Sequence, residues 1–257
     1  MRSLRLLTLS VVVGLVICGC RKEKEVAEAR ETEEITAKPG KAKEAAMGIT
    51  LKWLGHASFK ISHGDAVIYI DPWKLKQSPH DATLVLVSHS HHDHYSAEDI
   101  AKVSGPETKL IASADVIAQQ GKGQTMTPGL RIELDGVNVA GVPAYNPKKK
   151  FHPREKNWLG FVIEVGSKRI YYAGDTDLTD EMRAVKNIDV ALLPVGGTYT
   201  MNAAEAAEAT TYIKPKLAIP YHWGDIVGNR DDAEQFAQEA ECKVTVMTPG
   251  ETVVVEQ

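Results

Sequence analysis

The chain has 257 residues, 43% of them hydrophobic and 25% charged, an ordinary globular composition long enough to bury a substantial core. Its formal net charge of −4 lacks the strong basic excess of a nucleic-acid-binding surface, so nucleic acid is not an expected partner.

Residues 1–20, MRSLRLLTLSVVVGLVICGC, carry Arg2 and Arg5 ahead of an apolar run, the layout of a secretory signal. The closing Ile17-Cys18-Gly19-Cys20 resembles a bacterial lipobox. That resemblance implies removal of residues 1–19 and lipidation of Cys20, giving an exported, membrane-anchored lipoprotein on the periplasmic or cell-surface side. The alternative is an uncleaved anchor, although the run is short beside the roughly 20 helical residues that span a bilayer. With Cys18 removed and Cys20 lipidated, Cys242 alone remains of the three cysteines, so no intramolecular disulfide is expected. Cys242 reads as a small packed residue.

Residues 21–46 hold seven basic and seven acidic side chains and few large apolar ones, too little surface to offset the entropy of ordering. Residues 20–48 are therefore read as a tether. The expected domain, 49–257, is two charges more negative than the whole chain, because Arg2 and Arg5 drop out.

Residues 49–62 and 66–72 read as successive strands, and 82–89 as a fully buried one because its apolar run is continuous. Residues 96–104 open with a serine and an acidic pair, as a capped helix does. A strand over 109–113 and a helix over 114–120 follow. Asp135-Gly136 marks a hairpin within 130–144, and Gly166-Ser167 marks another. Beyond it, strands over 189–195, 216–222 and 242–247 alternate with helices over 178–185, 202–213 and 231–240. Early strands followed by alternating strands and helices predict two sheets with helices outside them, an α/β class.

Four of the nine histidines lie in SHSHHDHY, residues 88–95, directly after the buried strand. In extended backbone His89 and His91 point to one side, where they can grip one cation, and His92 points away. Asp93 and His94, where the chain turns into the helix, can face a neighbouring position. Imidazole and carboxylate suit zinc and related divalent ions. A solvated histidine-rich turn is the bland alternative. It recedes because His152, Asp175 and His222 also stand near expected strand ends, where sheet folds build their sites.

His89-Ser90-His91-His92-Asp93-His94 resembles the HxHxDH signature of the metallo-β-lactamase superfamily. WLGHASF (53–59), GDTDL (174–178) and LLPVGGTYTMNAAEA are similar to its branch of metal-dependent hydrolases, which includes relatives of ascorbate-6-phosphate lactonase. The resemblance covers residues 49–257 and implies a four-layer αββα sandwich with a dinuclear metal centre at one rim. It assigns His89, His91 and His152 to one ion, Asp93, His94 and His222 to the other, and Asp175 to both. His152 has the loosest flanking match. The implied cofactors are two divalent ions, zinc by default, with manganese, iron or nickel also compatible. Such a pair lowers the pKa of a shared water, so that a bridging hydroxide attacks at neutral pH without a serine or cysteine nucleophile.

Asp93 is a candidate to orient the nucleophile and shuttle its proton, and His56 to assist the substrate or protonate a leaving group. Asp71 is a candidate hydrogen-bond partner for a ligand histidine. Trp73, Tyr145 and Tyr199 are candidate pocket walls. The expected function is hydrolysis of a small ester, lactone, amide or phosphodiester, with a small-molecule or lipid-like substrate. The competing readings are a metal-binding or sensing lipoprotein without turnover, and di-iron redox chemistry. Against the second stand His91, where that branch carries glutamate, and the lack of a flavin domain in this sequence.

Overall fold

The computed structural model describes residues 48–256. The expected export signal, Cys20 and nearly all of the tether lie outside these residues. The first of two seven-stranded sheets contains β1 (Ile49–Gly55), β2 (Ser58–His63), β3 (Ala66–Ile70), β4 (Ala82–Val87), β5 (Ser104–Ala112), β6 (Gln124–Thr125) and β14 (Thr252–Val255), in the order β14-β1-β2-β3-β4-β5-β6. The second contains β7 (Arg131–Leu134), β8 (Val137–Pro143), β9 (Leu159–Val165), β10 (Lys168–Tyr172), β11 (Val190–Pro194), β12 (Leu217–Tyr221) and β13 (Lys243–Val244), in the order β13-β12-β11-β10-β9-β8-β7. The α-helices are α1 (Ala97–Val103), α2 (Ala114–Gln120), α3 (Asp180–Ala184), α4 (Ala203–Ile213) and α5 (Arg230–Glu239).

The two-residue period of the strands sorts side chains between layers. In β3 and β4, Ile68, Ile70, Leu84 and Leu86 join Phe59, Phe161 and Tyr172 in the core shared by both sheets. The alternate residues Tyr69, Val85 and Val87 pack with Ile100, Val103 and Val116 of α1 and α2. Both faces of β4 are thus covered, which is why its apolar run is continuous. On the second sheet's side, Ala206, Ala209 and Ile213 of α4 and Phe236 of α5 pack into the main core.

Helix starts are written in the sequence. Ser96 Oγ accepts from Asp99 N–H at 3.1 Å, and Asn202 and Glu205 exchange reciprocal bonds of 2.9 and 3.0 Å, a capping box whose loss costs about 1 kcal/mol.

The expected elements form, with several differences, among them a β5 that begins at Ser104 instead of 109 and an unanticipated two-residue β6. Residues 49–62 make two strands, because the pairing register shifts between Trp53 and Gly55 and His56 takes left-handed backbone with φ 46°. Within the expected 242–247 strand only Lys243–Val244 pairs, as the edge beside β12. The unanticipated β14 brings residues 252–255 antiparallel to β1, with Ile49 opposite Val255.

The chemistry-bearing loops lie together for a topological reason. β3, β4 and β5 run parallel, as do β10, β11 and β12. The carboxyl ends of β3, β4, β10 and β12 lead to Asp71, His89, Asp175 and His222, the end at which open sheets place their sites. Among the described residues, no helix is long and apolar enough to cross a membrane.

Candidate metal centre

The strand β4 ends at Val87, and the histidine-rich residues lie just beyond it. A turn closes from His94 N–H and Tyr95 N–H onto the His91 carbonyl, at 3.0 and 2.8 Å. Its entry is pinned by Ser88 N–H, which donates to Asp71 Oδ1 at 2.7 Å. The expected sorting holds on this turn. His89, Asp93 and His94 are buried, whereas the His92 side chain is 82% exposed.

Three groups of potential donors result, the third of them Asp71, His89 and His94. In the first, His89, His91 and His152 each offer an atom within 4.8 Å of the others. His89 Nε2 and His91 Nδ1 are 3.1 Å apart, close to the roughly 3.3 Å between two nitrogens on one tetrahedral zinc ion. The second group is His56, Asp93, His94 and His222, under the same limit. Asp93 Oδ2 lies 3.0 Å from His56 Nε2, 3.7 Å from His94 Nε2 and 3.9 Å from His222 Nε2. Asp175 spans the first two groups. Its Oδ1 is 3.2 Å from His94 Nε2, and its Oδ2 is 3.3 Å from His152 Nε2 and 3.0 Å from His222 Nε2.

The far side of three of these six rings is already occupied. His94 Nδ1 donates to Asp71 Oδ2 at 2.7 Å. His89 Nδ1 donates to Ser88 Oγ at 2.9 Å, and that hydroxyl donates on to Asp71 Oδ2 at 2.5 Å. His152 Nδ1 donates to Asn146 Oδ1 at 2.7 Å. Each bond fixes the proton on Nδ1 and turns the Nε2 lone pair toward the other donors, as in histidines that bind metals. Conversely, His94 Nε2, His152 Nε2, His222 Nε2 and Asp175 Oδ1 are buried without a hydrogen-bond partner. Several orphaned donor atoms around one space are costly without something to satisfy them. The residues fit divalent cations.

Electrostatics point the same way. Burial resists ionisation of Asp175, but His222 and His94 beside it hold its carboxyl well below the usual range. For His94, burial opposes the charge, yet Asp175 and Asp71 raise its pKa well above 6.5. Burial lowers His89 and His91. It also lowers His56, against the pull of Asp93. Asp93 itself resists burial and falls far below the ordinary carboxylate value through its bond to His56. Without cations, a His94 proton supplies positive charge that a metal would supply instead.

Local backbone is shaped to the site. His56, Asp71 and His222 have φ of 46°, 43° and 62°, the kind of strained backbone that collects at functional sites. The His56 carbonyl accepts from Trp53 Nε1 at 3.0 Å and from His222 N–H at 3.1 Å, tying the β1–β2 turn to the end of β12. Gly196 makes room there, since a Cβ on it would stand 2.3 Å from the His222 carbonyl oxygen.

Among the weaker candidates, Asp71 bonds His94 as expected. Trp73 lies beside the site, its ring 5.2 Å from that of His56. Tyr199 acts through its carbonyl, which accepts from Asn146 Nδ2 at 3.0 Å. The Tyr145 hydroxyl bonds Glu181 at 2.9 Å, away from these donors. Cys242 is half-buried against the core, and burial raises its thiol pKa.

Sequence reasoning missed Asn146, Ser88, Tyr172 and Trp158. Tyr172 OH donates to Asp71 Oδ2 at 2.6 Å. Trp158 packs on His89, His91 and His152, with ring centres 4.8, 4.7 and 5.6 Å away. Nor did the sequence single out Lys149, which holds the loop bearing His152 by donating to Asp177 Oδ1, Gly197 O and Thr200 O at 2.7, 3.1 and 2.6 Å.

Two facing sheets with a histidine and carboxylate cluster at one rim define a class, and residues 50–222 match the model of the Beta-lactamase superfamily domain. The chain belongs to this superfamily. Within it, the chain is 37% identical over 225 residues to a UPF0173 metal-dependent hydrolase of Pyrococcus abyssi, covering 79% of this chain and 98% of that one. It is 34% identical over 226 residues to a second UPF0173 metal-dependent hydrolase, from Methanopyrus kandleri, with the same coverage of both. Among solved structures it resembles Igni18, a metallo hydrolase from Ignicoccus hospitalis, with a TM-score of 0.67 and 28% identity over 81% of this chain and 99% of that one.

Proposed function

We propose that the protein is a hydrolase that uses two divalent cations, zinc by default, to cleave a small ester, lactone, amide or phosphodiester. The observation that carries this reading is Asp175, which reaches His152 of the first donor group through Oδ2 and His94 and His222 of the second through Oδ1 and Oδ2. In this assignment His89, His91 and His152 hold one cation, Asp93, His94 and His222 hold the other, and Asp175 contacts both. When bound, the cations supply Lewis acidity and make hydroxide available at neutral pH.

The remaining work falls to the chain. Asp71, through Ser88, sets the tautomer of His89 and directly that of His94, and Asn146 sets that of His152. Asp93 orients the attacking water. The strong depression of its pKa suits orientation better than proton storage. His56, neutral through burial, donates to Asp93 and is the residue we assign to assist the leaving group. Trp158 keeps bulk water from the backs of three histidines.

The expected test result is bound divalent metal on elemental analysis, with hydrolysis of at least one ester, lactone, phosphodiester or β-lactam reporter that chelation abolishes. Bound metal without hydrolysis of any reporter would favour a sensing or binding protein.

We also infer that Cys20 anchors the chain to a membrane outside the cytoplasm, on the strength of the signal-like residues 1–19. Cys20→Ala should release the protein from the membrane fraction, and unchanged fractionation would contradict the inference.

A further inference from the structure

Residues 224–228 carry the chain from His222 toward α5. Gly224 and Gly228 bracket them with φ of 80° and 67°, and Gly224 N–H donates to Gly228 O at 3.3 Å. At the tip, Val227 N–H donates to Asp225 O at 2.7 Å, closing a γ-turn around Ile226, whose φ is 62°. A γ-turn with positive φ is rare and strained, and a β-branched residue suits left-handed backbone least. Glycine or asparagine would fit there with less strain. Burial does not explain the choice, because Ile226 is 48% exposed.

The tip is tied to a segment beside the candidate site through Asp225. Asp225 Oδ1 and Oδ2 accept from Lys74 Nζ at 3.2 and 2.9 Å, and that nitrogen lies 4.1 Å from the Trp73 ring centre. The Trp73 ring in turn lies 5.2 Å from His56 and 6.2 Å from His92. The Trp73 lip is held rigidly. Trp73 N–H donates to Ser58 Oγ at 3.0 Å, and Lys74 and Leu75 N–H donate to the two Asp99 oxygens at 2.9 and 3.0 Å. An apolar residue held in a strained turn and joined by an ion pair to an aromatic lip beside the site is a costly arrangement for the free protein. Strain of this kind persists where function uses it.

We propose that Ile226, together with Trp73, receives an apolar acyl or aryl group adjacent to the bond that is cleaved. The site would then favour amphipathic substrates over small polar ones. This rests on the hydrolase reading above and adds the substrate's shape to it.

The test compares zinc-loaded wild-type protein with Ile226→Gly and Ile226→Asn on p-nitrophenyl octanoate and p-nitrophenyl acetate. Quenching of tryptophan fluorescence by octanoate and by acetate serves as a binding readout that needs no turnover. Both variants should raise KM for the octanoate ester at least about tenfold, the scale of lost apolar contacts in a specificity pocket, and leave the acetate ester within about twofold. Both should weaken octanoate binding, and both should unfold at a higher temperature than wild type, because strain is relieved. An unchanged octanoate-to-acetate preference and unchanged octanoate binding would overturn the proposal. So would unchanged preference accompanied by loss of binding to phosphatidylglycerol vesicles, which would assign the lip to a membrane. If wild type cleaves neither ester, the lactone, phosphodiester and β-lactam reporters decide the hydrolase reading separately, and the fluorescence titration still decides the role of Ile226.

Discussion

Asp71 Oδ2 lies 2.7 Å from His94 Nδ1 and 2.5 Å from the Ser88 hydroxyl that meets His89 Nδ1. One buried carboxylate therefore orients a histidine in each of the first two donor groups. Tyr172 OH, at 2.6 Å, completes its partners. Asp71→Asn should weaken the binding of both cations by about 10- to 100-fold, the usual effect of losing such a supporting bond. Competition against a chelator measures this, and wild-type affinity at both positions would contradict it.

Asn146 supports one group only. Its Oδ1 accepts from His152 Nδ1 at 2.7 Å and from His152 N–H at 3.1 Å. Asn146→Ala should lose one cation per chain at a chelator concentration where wild type keeps both. Elemental analysis after dialysis reads the difference, and equal loss of both ions would show that the groups are not separable in this way.

His56 meets the reaction through Asp93, 3.0 Å away. His56→Ala should keep the cation held by His89, His91 and His152 and lower kcat by about 100-fold, the lower end of what one positioned proton-transfer group contributes. His56→Gln, which can still donate to Asp93, should recover part of the loss. Equal kcat in wild type and His56→Ala would remove His56 from the mechanism.

The metal-free protein should be pH-sensitive in a definite direction. His94 is raised above 6.5, so its contribution to stability is complete below that value and is lost as pH rises through its higher folded pKa. Asp175 is depressed below 3.8, so its contribution is present above that value and is lost as pH falls through its lower folded pKa. The Tm without metal should fall as pH rises above 6.5, and divalent cations should flatten that fall by replacing the His94 proton. A metal-free Tm that rises over this range would contradict the assignment.

Much of this was legible in the sequence because it is local or periodic. The run Ala82–Val87 announces a strand buried on both faces, and the motif beginning at His89 announces its donors. Asp175 and His222 are found by the same resemblance, each just past a strand. What stayed hidden depends on long-range closure. Asn146 reaches His152 six residues away through a loop whose shape Lys149 fixes from contacts with residues 177, 197 and 200, and no period encodes that. Tyr172 looks like one more inward residue of β10 until Asp71, 101 positions earlier in the chain, is found beneath its hydroxyl. The β14 strand was missed because Thr252–Val255 is only four residues long and gains its identity from pairing with β1. The strain at Ile226 has no sequence signature, since isoleucine there violates local preference.

The number of divalent ions bound per chain at saturation, read by elemental analysis of wild type and of Asp175→Asn, tests the central claim most directly. Two ions in wild type, and loss of at least one together with the hydrolytic activity in Asp175→Asn, is the predicted result. A wild-type chain that hydrolyses its substrate with no metal bound, or an Asp175→Asn chain that keeps two ions and full turnover, would contradict the account.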